Sequence, residues 1–113
     1  MTEWAQNAWD DGKYFVYVRI PKSLSPFERS DKYEDPLIDG LARQNLGEVV
    51  GGGSRLGEGK SIAYCGIDVL LNERSKGFEM LTAELRRLGA PSGTVIEEFV
   101  PTFTEHAIYT EPT

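Results

Sequence analysis

Alternation of apolar and polar positions marks the first element. From Lys13 to Ile20, Tyr14, Val16, Val18 and Ile20 share one face and Phe15, Tyr17 and Arg19 the other. Both faces are mostly apolar, which predicts a central strand, and Pro21 ends it. Residues 21–34 read as a polar connector carrying Pro21 and Pro26. Asp35-Pro36 then signals a helix start, with Asp as N-cap and Pro at the first helical position. Leu37, Ile38, Leu41 and Ala42 supply its apolar stripe, and Asn45 to Gly47 its stop. Gly40 within this helix costs about 1 kcal/mol relative to Ala, so it predicts close packing on the sheet.

Glu48 to Leu56 reads as a second strand interrupted by Gly51-Gly52-Gly53, and Gly57-Glu58-Gly59 as a hairpin turn. In Lys60 to Leu71, the third strand, Ala63, Cys65, Ile67, Val69 and Leu71 form an apolar row, while Ile62, Tyr64, Gly66, Asp68 and Leu70 are mixed. A turn centred on Glu58 sets Gly52 opposite Tyr64, whose ring would lie across the glycine. Asn72 or Ser75 caps a second helix with Phe78, Leu81, Thr82, Leu85 and Leu88 on one face, and Gly89 and Pro91 end it. Thr94 to Val100 is a fourth strand, and His106 to Thr110 a short extra one. Before all of these, residues 1–12 carry Trp4 and Trp9 and close on Asp10-Asp11-Gly12. Tryptophan is costly to expose, so this arm should dock.

The order β-α-β-β-α-β resembles the split β-α-β, or ferredoxin-like, arrangement. The expected fold is α+β: a four-stranded antiparallel sheet with two helices on one face and the other face open. The resemblance concerns element order over residues 13–100 and licenses no activity. The expected organisation is a single α+β domain over 1–113, with an N-terminal arm (1–12), a core (13–100) and an acidic C-terminal tail (101–113).

Composition narrows the function classes. Acids outnumber bases 18 to 12, giving a formal charge of −6. Residues 94–113 hold Glu97, Glu98, Glu105 and Glu111 without Lys or Arg. Such a surface repels phosphate backbones and acidic membranes, so neither nucleic acid nor membrane is an expected partner, whereas a basic protein is. No apolar run approaches the roughly 18 residues of a membrane span, and no secretory signal pattern opens the chain. Cys65 is the one cysteine and lies in the apolar row, where a buried reduced thiol is expected. These features suggest a cytoplasmic location.

The candidate motifs mostly resolve into structural readings. Ser54 to Ser61 nearly matches a P-loop but lacks its first glycine and runs into strand-like sequence rather than a helix. Gly51-Gly52-Gly53 admits close approach by a ligand, or a β-bulge, and the bulge is the simpler reading. Cys65 and His106 could form a thiol–base pair only if folding joined distant positions. With one Cys and one His, a metal would need carboxylates; no metal and no cofactor is expected. Glu97 and Glu98 point to opposite faces of a strand, so one should face the core unless that strand is an edge or is bulged. Arg86-Arg87 complements a helix C-terminus.

One constellation remains for binding: Tyr17, Arg19, Tyr64 and Asp68 on the open sheet face, with Trp4 and Trp9 as further contacts. The expected function is therefore a small, acidic, non-catalytic protein-interaction module, in particular an immunity protein or antitoxin that neutralises a basic toxin such as a nuclease. The alternative is a small-molecule-binding domain or weak enzyme using that open face. A third reading is homodimer formation through the face or a sheet edge.

Overall fold

In the computed structural model, residues 2–22, 24–56 and 62–109 are described, and among these the side chains of Thr2, Trp4, Pro26, 53–56, Ile62 and Ala63 are left aside. The expected turn at Gly57-Glu58-Gly59 and the Lys60-Ser61 pair lie outside the described residues. The architecture is α+β. Strands β1 (Tyr14–Ile20), β2 (Gly47–Leu56), β3 (Ile62–Leu71), β4 (Val95–Glu98) and β5 (Thr104–Ala107) form one antiparallel sheet in the order β2-β3-β1-β4-β5. The expectation of four strands is corrected to five. The sequence reading placed the extra strand at 106–110, whereas pairing runs from Val95↔Ala107 to Glu98↔Thr104. Part of the expected tail is thus sheet, and β4 is interior.

The larger core lies on one face. Val16, Val18 and Ile20 of β1, the Cys65–Leu71 row of β3 and Ile96 of β4 meet Leu37 and Leu41 of helix α3 (Asp35–Gln44). Leu81 and Leu85 of helix α4 (Arg74–Arg87) complete the layer. Gly40 is explained by helix–helix contact rather than by the sheet, because a Cβ there would run into the Met80 methyl of α4. Asn45, in the left-handed region at φ 52°, stops α3 as expected. Neither Asn72 nor Ser75 caps α4: Glu73 is its N-cap and makes no side-chain capping bond.

The connector is helical rather than irregular. A short turn α2 (Pro26–Arg29) leads through a wide π turn (Ser30–Glu34) directly into α3. Asp35 is therefore an interior helical residue, and its N–H reaches back to the Ser30 carbonyl. Proline has no N–H to donate and crowds the carbonyl four residues earlier, and opening the helix to a five-residue loop just before Pro36 accommodates both defects. The same π spacing stacks Arg29 over Glu34, and the two side chains pair while largely buried. A Cβ on Gly52 would lie 2.9 Å from Glu34 Oε2 and 3.2 Å from Arg29 Nε. The glycine run thus does two things. It lets this pair approach the sheet, and it follows a register shift between Val49 and Gly51, the expected bulge.

The other sheet face is not open throughout. The N-terminal arm is a helix, α1 (Thr2–Asp10), and its Ala5 and Ala8 pack on Phe15, with Leu70, Phe99 and Val100 around them. Among the described side chains, small residues make this contact. Trp9 stays 43% exposed.

The pairing also corrects the glycine-covering contact. Gly52 lies opposite Ile67 and Tyr64 opposite Arg55, so no ring of Tyr64 covers Gly52. Tyr17 instead lies across Gly66: a Cβ there would overlap the phenol ring and hydroxyl. Tyr17 is only 7% exposed, so its ring has little freedom to give way. Gly66→Ala should therefore cost about 1–3 kcal/mol, the range for overpacking, read from urea unfolding. An unchanged midpoint would show that the ring can move aside at no cost.

Candidate functional site

The register of β1 assembles four of the six sequence-predicted residues. Tyr17 pairs with Asp68 on one side and Glu97 on the other, and Arg19 pairs with Gly66 and Val95. The Arg19 guanidinium stands 5.8 Å from the Tyr64 ring centroid. It also bridges two carboxylates, Glu97 at 3.3 Å and Glu105 at 2.6 Å. Tyr17, Arg19, Tyr64 and Asp68 thus share the sheet face away from α3 and α4. Trp9 does not join them. It packs edge-on against Tyr14, at the other end of β1, with ring centroids 6.0 Å apart. Trp4 lies in α1, and its side chain is among those left aside.

Glu97 and Glu105 belong to this patch and were not singled out as site residues from the sequence. Their signal was the run of acids after residue 94, but placing them needed β5. Burial pushes the Glu97 carboxyl up, Arg19 pulls it down and Glu105 adds to the rise. Among described strand side chains on this face, Glu48, Asp68, Glu97 and Glu105 are carboxylates and Arg19 is the cation. Among these described side chains acids outnumber bases, and Arg19 keeps its two nearest acids from repelling each other.

The helix-covered face holds a second cluster that sequence reasoning missed. Alternation sends Glu98 toward the core, where it is 7% exposed. It tolerates burial because Arg74 of α4 donates from Nε to Oε2 at 2.6 Å and from Nη2 to Oε1 at 2.8 Å. His106 Nε2 lies 3.1 Å from the same Oε1. Phe78 supports both partners: the Arg74 guanidinium lies 5.0 Å from its centroid and the His106 ring 4.8 Å away, edge-on. The Arg74 hydrogen bonds hold the Glu98 carboxyl below the usual range against the opposing effect of burial, and His106 helps. Chemically, a buried carboxylate fixes one nitrogen of an imidazole whose side chain is 34% exposed. That is a means of orienting a proton-carrying ring.

Cys65 and His106 are not brought together. Cys65 is fully buried on β3, with β1 and β4 between it and β5, and burial pushes its thiol up. The P-loop-like segment joins two paired strands, β2 and β3, so no helix N-terminus follows it. Among the described residues no group of three or more His, Cys, Asp or Glu side chains is placed to hold a metal ion, and no helix is long and apolar enough to cross a membrane.

The two adjacent glutamates should act on stability with opposite sign. The folded value of Glu98 is lowered, so its pairing stabilises fully above the ordinary glutamate value of 4.5, and that stability is lost as pH falls through the lower folded value. The folded value of Glu97 is raised, so stability declines as pH rises from 4.5 through its folded value. Glu98→Gln should cost about 2 kcal/mol at pH 7, the scale of charge-assisted hydrogen bonds, and should flatten the acid limb of stability against pH. Glu97→Gln should be neutral or stabilising there. Equal losses in urea unfolding would refute this division.

Comparison of the chain with models of protein families, with curated proteins and with solved structures finds no match.

Proposed function

We propose that this chain is a non-catalytic protein-interaction module whose acidic sheet face docks a basic protein. The observation that carries the reading is the placement of Glu48, Asp68, Glu97 and Glu105 on one sheet face, with Glu97 and Glu105 paired to Arg19 and Glu48 at the other end of that face. A face charged in this way steers a cationic partner and repels nucleic acid and anionic lipid. Tyr64 and Arg19 supply the aromatic and guanidinium groups that tend to anchor protein interfaces. Phe103, 54% exposed and tilted against Phe99 with ring centroids 5.5 Å apart, adds apolar area in the segment between β4 and β5.

The specific form is a cytoplasmic immunity protein or antitoxin that occupies the cationic surface of a nuclease toxin. The strand order β2-β3-β1-β4, with α3 and α4 on one face, supports a ferredoxin-like frame to which β5 is added. The small-molecule reading at Tyr64 and Asp68 is weaker, because the Tyr17 ring already occupies the space above Gly66.

The test is capture from a lysate of the source cell at low and high salt, then kinetics with the purified partner. A single stoichiometric basic protein should appear with the wild-type chain. Glu105→Lys and Glu48→Lys should each slow its association, by about tenfold where a rim charge steers encounter. The association rate should fall with salt. An association rate indifferent to both salt and charge reversal would overturn the proposal.

A further inference from the structure

A cleft of about 510 Å³ runs between α4 and β5, on the side of the sheet opposite the acidic face. Its walls include Phe78, Thr82, Ala83 and Arg86 from α4 and His106 from β5. The volume suits a small organic ligand. Two of the lining side chains are held from behind. The buried Glu98 carboxylate, itself gripped by Arg74, engages His106 Nε2. The Ile108 carbonyl accepts from Arg86 Nε, and the Arg86 guanidinium rests 5.8 Å from the Tyr109 ring centroid. Tyr109 is in turn fixed by donation from its hydroxyl to the Ala90 carbonyl at 2.5 Å.

The groups left unused are then the two terminal nitrogens of Arg86 and His106 Nδ1, an acceptor in the neutral ring and a donor once the ring is protonated, for which no partner is found among the described residues. They belong to opposite walls of one cleft, one on the helix and one on the strand. A planar carboxylate matches the Arg86 fork alone. A phosphate has three terminal oxygens in a tetrahedral arrangement, so it can meet the fork and the imidazolium together. Thr82 adds a hydroxyl, and Phe78 and Ala83 give apolar surface for what the phosphate carries. Glu79 also lines the cleft and opposes an anion. It lies about two helical turns from Arg86, roughly 10 Å along the axis, but directly follows Phe78, on which the His106 ring packs. The Glu98 charge is spent on Arg74. With His106 protonated, the surrounding charges are Arg74, Arg86 and His106 against Glu98 and Glu79.

We propose that this cleft is a binding site for a small phosphate dianion, inorganic phosphate or a phosphate monoester, clasped between His106 and Arg86. The site is independent of the acidic face and of the protein partner assigned to it.

His106 is the one histidine in the chain, so its imidazole resonances are unambiguous in NMR. The experiment titrates them against pH in chloride, acetate, inorganic phosphate and phenyl phosphate at matched ionic strength. Phosphate should move the imidazole titration midpoint upward and saturably. A rise of about one unit corresponds to tenfold tighter binding by the imidazolium than by the neutral ring. Acetate should give no saturable shift. Arg86→Gln should abolish the phosphate shift, read against that variant's own midpoint in chloride.

Ala83→Glu, at an exposed helical position on the cleft wall, should abolish it without removing any contact that holds the fold. A larger effect of phenyl phosphate than of inorganic phosphate identifies a monoester site, and equal effects a site for the bare phosphate group. A midpoint that moves no more in phosphate than in acetate would overturn the proposal. So would a phosphate shift that survives in both folded variants.

Discussion

Strand β1 is third of five in the sheet, and burial on both of its faces constrains everything around it. Val16, Val18 and Ile20 need a helix layer on one side, and α3 and α4 provide it. Phe15 needs cover on the other side, and α1 provides that through Ala5 and Ala8. Each fully buried aliphatic side chain is worth about 1.5–3 kcal/mol, so neither face could stay wet without losing a large part of the net stability of a small domain. Tyr17 completes this second side by folding across Gly66. The glycine and the tyrosine are one device: the missing side chain on β3 is the space the ring fills.

Beyond Tyr17 toward its C-terminal end, β1 turns from packing to charge. Arg19 is the residue through which the sheet tolerates the acids of β4 and β5. Glu97 and Glu98 are chain neighbours, yet alternation sends them to opposite faces and to different fates. Glu98 meets a guanidinium fork and ionises easily, while Glu97 is buried beside Glu105 and shares Arg19 with it. Burial is similar for both, at 7% and 9% exposed. The geometry of the cationic partner therefore decides the sign of each shift.

Periodicity made β1, β3, α3 and α4 legible, because each presents a regular apolar row to the main core. Tyr17, Arg19, Tyr64 and Asp68 were legible as a group for the same reason: period-two alternation fixes a face, and adjacency of β1 and β3 does the rest. What escaped lacks such a row. The helical stretch before Pro36 is polar, and the residue before a proline is biased away from helix. Tyr33, fully buried, and the Arg29–Glu34 pair over Gly52 hold it helical by tertiary contact. The lone His106 carries no local signal, and it becomes a candidate only because β5 pairs with β4 and brings it to Glu98. The α1 contact was hidden by its use of alanines, which carry no signal of docking.

Strand β5 is short and its burial is slight, yet it serves both faces of the sheet. Glu105 points to the acidic face and meets Arg19, while His106 points to the helix face and meets Glu98. Its backbone pairing with β4 thus ties the two surfaces together, and it adjoins the Ile108 carbonyl that anchors Arg86. An edge strand of four residues gains little from apolar burial and depends on such side-chain pairings for its register. A slip of one residue would exchange Glu105 and His106 between faces. That slip would set a second carboxylate beside the buried Glu98 on one side and leave Arg19 with one acid on the other. The charges that define both surfaces are therefore also what fixes the strand presenting them.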